Sequence, residues 1–577
     1  MKRYKKLLIS GLAVLPLLTS CLKEYTPTEF ATQKQVEAAD KSGLSNAMAA
    51  YMNAYSTDYY YDIGFPGLGL WRDFMTADAP IHSNGYDYFS YVGSTSWLGS
   101  TYASCYVFWE RYYGLVKKAN LVLEAVNPEN EEDHVYAGNA HAYRAHAYFE
   151  MAQWYEYRHT DIAAFDQQAA SSKIEGLTVP IVTETTTEDE SRHNPRAPFY
   201  KMYRFILDDL LNGEKYLEGK TVEGGKTNAD IAVIYGLSAR FWLYLGTRFT
   251  LHEEDLQTML SHENDADIPF SKLGINTARD CFAKAAEYAR KAINRSGAPL
   301  TETQWFDPKT GFNSVNNAWL WAVIISTNDG LATDLTWQSF PSFMSPEASY
   351  GISTPDYGGY RMIDARLFGQ IPNADWRKTT WIAPEDVANE DAFNTKYARG
   401  TSLGYSDWSL FEGYTAFKFH PASGDGATST VGNAISIPLM RVEEMYFIEA
   451  EATGRASGDA AGRQLLESFM NTYRYKDGSY VSRSAGIEGF INDLLTQKRI
   501  EFWGEGIILW DFRRLEKAIT RGYPGTNWPD TYRYNSMPNA VAPWSTLCIP
   551  EAELNYNLDV LPNPDPSHAS YYGLWTE

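Results

Sequence analysis

Cysteine is scarce in this chain, with four residues among 577. They are Cys21, Cys105, Cys281 and Cys548, and none belongs to a Cys-x-x-Cys pair or to a spacing typical of zinc ligands. This scarcity excludes a disulfide-stabilised scaffold and a structural zinc module. Cys105, Cys281 and Cys548 lie among apolar or aromatic neighbours, so we expect buried free thiols with at most one bridge among them.

Positive charge is also scarce, because 50 lysines and arginines face 72 acidic residues and the formal net charge is −22. Residues 1–20 contain four cations and no acid, so removal of this segment moves the net charge from −22 to −26. No basic patch elsewhere in the sequence offsets this excess. Such a chain repels phosphate backbones and anionic lipid headgroups, which excludes nucleic acid as a partner.

The sequence lacks the common signatures of catalytic sites. It contains no phosphate-binding G-x-x-x-x-G-K-[ST] loop and no G-x-S-x-G elbow. His252-Glu253 and His262-Glu263 lack the second histidine of a zinc peptidase. We therefore predict no metal, no cofactor and no catalytic residue. Acidic residues are numerous enough to leave a surface glycoside hydrolase open as an alternative, and Asn264-Asp265-x-Asp267 leaves bound calcium open.

Long hydrophobic runs are limited to one, LLISGLAVLPLL at residues 7–18, which is too short to span a bilayer as a stable anchor. It follows a basic start and ends in Leu18-Thr19-Ser20-Cys21, the pattern of a lipobox. Residues 1–20 are therefore predicted to be a lipoprotein signal peptide, and Cys21 the acylated residue. Several acyl chains on Cys21 would tether an otherwise soluble body firmly.

Apolar residues recur at helical spacing over much of the chain after residue 104. Phe108, Tyr112, Leu115, Ala119 and Val122 follow each other at intervals of three and four. Similar patterns occur near residues 135–157, 199–210, 232–242, 278–292, 439–473 and 491–519. Alanine alternates with larger side chains on these faces, so antiparallel helices can approach closely. The pattern predicts a mainly all-α fold built from helix pairs.

Two long segments, residues 54–104 and 296–436, lack this periodicity and are rich in aromatic residues, glycine and polar residues. The chain has 41 tyrosines and 17 tryptophans, more flat amphipathic surface than a core requires. Loops of this length are usually functional or disordered, and the aromatic content argues against disorder. Because sugar rings stack on tryptophan and tyrosine, at about 1 kcal/mol per ring by analogy with aromatic pairs, we expect a glycan-binding layer of ordered loops. Candidate ligand contacts are Tyr86, Tyr88, Tyr91, Trp97, Trp337, Phe343, Tyr357 and Tyr360, with Arg72, Asp73, Asn84, Asp356 and Arg361 as polar partners.

A charged stretch near the C-terminus, Ile491 to Ala518, divides into two apolar helical faces joined at Gly504-Glu505-Gly506. Charged residues lie between these faces, beside two tryptophans. The pattern predicts a partly buried ionic corner in which arginines bracket carboxylates. Structural roles are predicted for Arg499, Glu501, Glu505, Asp511 and Arg513.

This stretch, together with SIPLMRVEEMYFIEAEA (Ser436 to Ala452) and IPEAELNYNLDVLPNP (Ile549 to Pro564), resembles the SusD/RagB family of nutrient-binding surface lipoproteins in order and in spacing. The resemblance implies a tetratricopeptide-like helical-pair scaffold with an N-terminal SusD-like part at about 21–250 and a C-terminal RagB/SusD part at about 275–577. It implies ligand contacts from the two irregular segments, without fixing individual residues.

The resemblance also implies location and partners. Members are lipid-anchored in the Gram-negative outer membrane, face outside and deliver ligand to a SusC-like TonB-dependent transporter. The expected mechanism is binding and handover without catalysis. A glycan is the first expected ligand, and an oligopeptide, as implied for RagB-like members, is the alternative.

Overall fold

Most of the regular backbone is helical in the computed structural model, which describes residues 40–82, 86–262, 269–536, 540–567 and 573–576. The longer helices are α1 (Lys41–Tyr51), α2 (Phe65–Met75), α3 (Ala103–Ala125), α4 (His134–Tyr155), α5 (Ala163–Ser172), α6 (Phe199–Leu217), α7 (Ile231–Leu251), α8 (Glu253–Ser261), α9 (Ala278–Asn294), α10 (Val442–Ser457), α11 (Asp459–Tyr473), α12 (Gly486–Glu501) and α13 (Ile508–Arg514). The predicted all-α fold class is confirmed.

Short helical segments connect these helices. One-turn α-helical segments are Ser90–Gly93, Glu188–Ser191, Glu302–Trp305, Gly330–Thr333, Phe340–Met344, Ala365–Gly369, Glu390–Ala392, Tyr405–Trp408, Ser429–Gly432 and Glu551–Tyr556. Segments of 3-10 helix are Glu131–Asp133, Gly225–Thr227, Phe270–Leu273, Trp376–Thr380, Pro384–Asp386, Ala398–Gly400, Ala422–Gly424, Asp530–Tyr532 and Pro543–Ser545, and Phe393–Tyr397 is a π-helical turn. Many of them fall within 296–436, so this region is ordered around short elements.

The long helices pack in sequence, each on its neighbour: α3 on α4, α4 on α6, α7 on α9, α9 on α10 and α10 on α11. Their contact faces carry small residues as predicted, and Ala142, Ala145 and Ala285 are fully buried or nearly so. At Gly213 on α6, an added Cβ would lie 2.4 Å from Ile234 Cδ1, too close for any side chain. This neighbour-to-neighbour packing supplies a rigid scaffold, and its tetratricopeptide-like geometry remains a prediction.

A two-stranded antiparallel sheet interrupts the helices and corrects two predictions. Strand β1 (Trp319–Ile324) lies inside the segment predicted to be irregular, and β2 (Ser436–Arg441) includes Leu439, the predicted start of a helix. Ile324 pairs with Ser436 and Val323 with Ile437. Both strands are almost completely buried, so neither sequence shows the alternation of polar and apolar residues that is typical of a half-exposed strand.

Two helices also depart from the sequence expectation. The segment 54–104 contains α2, which starts at a Gly-Phe-Pro sequence and buries most of its residues. Helix α13 ends at Arg514, although its apolar spacing continues to Ile519, because Glu516 takes a left-handed conformation with φ of 50°. Arg158 and His252 hold the Glu516 carboxylate in that position.

The described residues from Asp40 onward form one compact unit around a shared hydrophobic core. Cys105, Cys281 and Cys548 are buried free thiols, as predicted. Within the described ranges, no helix has the length and hydropathy needed to cross a membrane. The predicted signal peptide, the lipobox and Cys21 lie outside the described residues, and the division into 21–250 and 275–577 remains a prediction.

Candidate functional site

Aromatic side chains from the two irregular segments meet on one surface, which we call the aromatic shelf. It consists of Tyr60, Tyr86, Tyr88, Tyr91, Trp97, Tyr102, Trp337 and Tyr357, joined by an unbroken series of ring contacts. Six of these eight residues are predicted ligand contacts. The structure therefore brings together most of the aromatic candidates from segments about 250 residues apart in the sequence.

Tyr86 and Tyr60 connect the two segments. The Tyr86 ring lies edge-on to Trp337 and Tyr357, with centroid distances of 6.3 and 6.0 Å. The Tyr60 ring lies 5.2 Å from Trp337 and 4.6 Å from Tyr88. Edge-to-face contacts at these distances are favourable, so the rings stabilise each other's orientation.

The remaining rings are nearly parallel. Tyr91 stacks on Trp97 with 3.5 Å between centroids and 5° between planes, and Tyr102 lies 6.3 Å beyond Trp97 at 14°. Ser104 donates a hydrogen bond to the Trp97 carbonyl and ties this loop to the start of α3. Tyr91 covers one face of Trp97, so this stack holds its rings in place and offers a ligand its outer ring faces and edges.

The shelf is accessible to ligand. Tyr86, Tyr357 and Tyr102 are 57%, 48% and 41% exposed, and its other rings are half-buried. A surface cleft of about 270 Å³ opens beside it, lined by Asp58, Tyr59, Tyr60, Tyr61, Tyr88, Trp97, Tyr102 and Ala103. Burial raises the pKa of the Tyr61 and Tyr88 hydroxyls, so both remain protonated and can donate hydrogen bonds at neutral pH.

Sequence reasoning missed Tyr59, Tyr60, Tyr61 and Tyr102. The first three form a run of consecutive tyrosines, STDYYYDIG, just before α2. Three adjacent tyrosines in a loop cannot all face one core, and this run was the available signal for an aromatic surface. Tyr102 directly precedes α3, and no local pattern separates it from a core residue.

Four predicted ligand contacts, Arg361, Tyr360, Asp73 and Phe343, are buried, and the prediction of direct contact is corrected for them. Arg361 is 1% exposed and pairs with Asp87, whose Oδ2 lies 2.5 Å from Arg361 Nη1. Tyr360 is 7% exposed and packs edge-on against Phe411. Asp73 is 4% exposed, and its Oδ2 accepts a hydrogen bond of 2.7 Å from the Gly506 amide.

The local environment shows why several predicted ligand contacts are unavailable to a ligand. Asp73 loses hydration inside the core, which raises its pKa well above the usual value despite the Gly506 hydrogen bond. The additional candidate Phe343 is fully buried, and Arg72 is paired with Glu150. Asn84 lies outside the described residues. Arg361, Tyr360, Asp73, Phe343 and Arg72 are not among the rings of the shelf, and the first four are buried.

The structure places the predicted ionic corner around Glu501, which is fully buried. Glu501 Oε2 accepts hydrogen bonds of 2.8 Å from Arg377 and from Arg474, and Arg441 Nη2 lies 3.3 Å from Oε1. Burial alone would raise the pKa of Glu501, but the attraction of Arg474 and Arg377 outweighs it and holds the pKa far below the usual value.

The other charges of this corner are paired in the same way. Glu505 binds Lys418 and Arg441, Asp511 binds Lys498 and Arg514, and Arg499 binds Asp78. Arg513 donates to the carbonyls of Glu156 and Ser545 at 3.0 and 2.7 Å. Burial lowers the pKa of Lys418 to about 8, although Glu505 opposes this shift. The corner connects α2, β2, α12 and α13, which is a structural arrangement.

Two further cavities are less suited to a glycan. The cavity beside the ionic corner, between Arg72, Glu150, Arg240 and Trp510, has a volume of only about 80 Å³. The arginines that line it, Arg72, Arg240 and Arg514, are already paired with Glu150, Glu444 and Glu451. A cleft of about 320 Å³ beside Glu516 contains several ion-paired charges and few aromatic rings. The shelf is the site that combines space with stacking surface.

No metal site emerges from the residues described. In those ranges, no group of three histidine, cysteine, aspartate or glutamate side chains is arranged to hold a metal ion. The Asn264-Asp265-x-Asp267 run lies outside them.

Comparisons with known proteins give the family and the fold that this chain resembles. A family model described as "Starch-binding associating with outer membrane" matches residues 72–243, and the SusD family model matches residues 349–564. The two together include the end of α2, all of α3 to α6, the first part of α7, most of the second irregular segment and the ionic corner. The SusD-like protein P38 of Formosa agariphila is 29% identical over 537 residues, covering 90% of this chain and 93% of that protein.

Solved structures share the fold over nearly the whole chain. A SusD-like carbohydrate-binding protein from Bacteroides vulgatus superposes with a TM-score of 0.64 at 19% identity, covering 92% of this chain and 98% of its own. A surface glycan-binding protein A from Bacteroides thetaiotaomicron superposes with a TM-score of 0.60 at 15% identity, covering 91% of this chain and 98% of its own. A laminarin-binding SusD-like protein superposes with a TM-score of 0.59 at 16% identity, also covering 91% of this chain and 98% of its own.

Proposed function

This chain belongs to the SusD/RagB family, and we propose that it is a glycan-binding lipoprotein of the outer cell surface that binds oligosaccharide or polysaccharide on its aromatic shelf. The observation that carries the proposal is the surface series of rings from Tyr357 through Trp337 and Tyr88 to Tyr102. Stacking of about 1 kcal/mol per ring requires several rings to act together for micromolar affinity, which needs about −8 kcal/mol. The shelf offers several exposed or half-buried rings that can act together in this way, with hydrogen bonds to sugar hydroxyls adding to the stacking.

The proposal also includes a lipid anchor on the protein and delivery of the bound glycan to a transporter. The lipobox at Cys21 supports a lipid anchor in the outer membrane facing outside, and family membership supports a SusC-like TonB-dependent transporter as the partner that receives the ligand. Opening and closing of the protein over the transporter would expose and then enclose the glycan, with binding shifting the population toward the closed state. The proposed role is binding and delivery, without catalysis.

Binding to purified polysaccharides tests the proposal. The mature chain should migrate more slowly in native gels that contain the polysaccharide it binds. Calorimetry with oligosaccharides prepared from that polysaccharide should give micromolar affinity. Trp337→Ala and Trp97→Ala should each weaken binding about fivefold, because one stacked ring contributes roughly 1 kcal/mol and 1.4 kcal/mol corresponds to tenfold.

Tyr446→Ala is the matched control. Tyr446 is a half-buried ring on α10 whose ring partners, Phe469 and Tyr473, lie on α11 and not on the shelf. This variant should bind like the wild type. Unchanged affinity in both tryptophan variants would contradict the assignment of the shelf. Release of shorter sugars from the polysaccharide would instead favour the glycoside hydrolase alternative, and binding of oligopeptides alone would favour the RagB-like alternative.

A further inference from the structure

Three exposed carboxylates line the cleft or adjoin shelf residues in the sequence, among the residues that the structure describes. Asp58 is exposed and lines the cleft, and Asp356 is exposed directly before Tyr357. Asp334, also exposed, lies three residues before Trp337 and accepts a hydrogen bond from the Tyr55 hydroxyl. That hydrogen bond lowers the pKa of Asp334, so the carboxylate is ionised at neutral pH.

Cations that could balance these carboxylates are engaged elsewhere. In the part of the chain that the structure describes, the cleft is lined by no lysine or arginine. Arg361, four residues after Tyr357, is buried against Asp87. Arg111 is buried behind the cleft, and its Nε lies 3.1 Å from Asp62 Oδ1. Neither guanidinium is available to an anionic group on the ligand.

We propose that the aromatic shelf selects uncharged glycans and rejects glycans that carry carboxylate or sulfate groups, with Asp58 and Asp356 setting this preference. The inference rests on the proposed glycan-binding function and names its substrate class. Carboxylates are strong acceptors for sugar hydroxyls, so they favour a neutral glycan. The faces of aromatic rings are also electronegative, so rings and carboxylates repel an anionic glycan together. The strongly negative net charge of the whole chain adds a repulsion of longer range.

Coulomb's law gives the expected loss of affinity for an anionic glycan relative to a neutral one. Two like charges about 4 Å apart in water repel enough to weaken binding roughly fivefold. This repulsion is screened by salt, since the Debye length falls from about 10 Å at 0.1 M to about 3 Å at 1 M. A charge preference at the shelf must therefore be strong at low salt and nearly absent at high salt.

The test compares the neutral and the carboxymethylated form of the same polysaccharide, so that the two ligands differ mainly in charge. The mature protein is assayed against amylopectin, laminarin, galactomannan and xyloglucan, each native and carboxymethylated, and against alginate and chondroitin sulfate. For the native polymer that binds, the carboxymethylated form should bind at least about fivefold more weakly at 20 mM salt, and the two should converge at 1 M salt. In the double variant Asp58→Asn with Asp356→Asn, the low-salt ratio should fall to about twofold or less.

The control double variant is Asp189→Asn with Asp477→Asn. Both aspartates are exposed, one on the short helix Glu188–Ser191 and one just after α11, and the control changes the net charge by the same amount. It should keep the full low-salt ratio, so a local effect is separated from total charge.

Each result decides a different claim. Equal or tighter binding of any anionic polymer by the wild type, a ratio unchanged in the shelf double variant, or a ratio that persists at 1 M salt would overturn the charge preference while glycan binding stands. Failure to bind every polymer, neutral and anionic, would refute the proposed function itself.

Discussion

Arg361 and Asp87 form a buried bidentate ion pair between the two segments that build the aromatic shelf. Arg361 Nη2 lies 3.1 Å from Asp87 Oδ1, and both side chains are almost completely shielded from solvent. Asp87 lies between Tyr86 and Tyr88, and its Oδ1 also accepts a hydrogen bond from the Phe89 amide. The pair therefore fixes the backbone that carries the shelf tyrosines, although neither residue faces the ligand.

Removing one member of this pair should destabilise the protein strongly. Arg361→Met leaves Asp87 as a buried and unpaired carboxylate, so we expect the free energy of unfolding to fall by about 3–5 kcal/mol. Urea denaturation, monitored by tryptophan fluorescence, measures this loss of unfolding free energy. The control is Arg366→Met, an exposed arginine five residues away, which should change stability by about 0.5 kcal/mol or less. Equal losses for the two variants would contradict a special role for the pair.

The ionic corner should respond to loss of its central carboxylate. Glu501→Gln leaves three buried guanidinium groups without their shared counter-charge, so we expect a loss of about 3–5 kcal/mol. Glu488→Gln on the same helix α12 is the control, because that side chain is 69% exposed and surface ion pairs contribute about 0–1 kcal/mol. Chemical denaturation of both variants gives the comparison, and similar midpoints would argue against a buried structural corner.

Stability should fall in acid because of buried carboxylates such as Glu451. Burial alone would raise its pKa, but Arg514, with further attraction from Arg455, lowers it to about 2 from the ordinary 4.5. A depressed pKa means that the stabilisation is fully present above pH 4.5 and is lost as the pH falls toward 2, by about 3 kcal/mol for this group.

Denaturation midpoints measured from pH 6 to pH 2 test this dependence. Glu451→Gln should lower stability at pH 6 and flatten the decline below pH 4.5. A variant whose stability falls with pH as steeply as that of the wild type would show that Glu451 does not contribute to the acid response.

Gly506 should tolerate no side chain for two separate reasons. Its φ is 72°, and an added Cβ would lie 2.6 Å from the Gly69 Cα. Gly478 has a similar φ of 63° but open space around it. Alanine at Gly478 should therefore cost only the left-handed conformation, about 1–2 kcal/mol, and alanine at Gly506 should cost about 1–3 kcal/mol more through the clash. Thermal or urea unfolding of the two variants measures the difference, and equal costs would rule out the close approach of α2 to this corner.

The helical scaffold could be predicted because its signal is local. Phe108, Tyr112 and Leu115 are buried on one face of α3 since helical geometry alone brings residues three and four apart together. The Gly504-Glu505-Gly506 corner was predicted for a similar reason, because positive φ favours glycine, and both glycines have it. Strand β1 was not predicted, since a strand buried on both faces has no alternation to detect.

The aromatic composition of the irregular segments indicated a binding surface, and the sequence by itself determined the kind of residue that forms it. Only the tertiary structure decided which of them share that surface. Tyr86 meets Trp337 and Tyr357 across about 250 residues, and no periodicity relates positions so far apart. The same long-range packing buries Arg361, Tyr360 and Asp73. The sequence could not show this, because a polar or aromatic side chain has the same local sequence pattern whether it faces solvent or a distant partner.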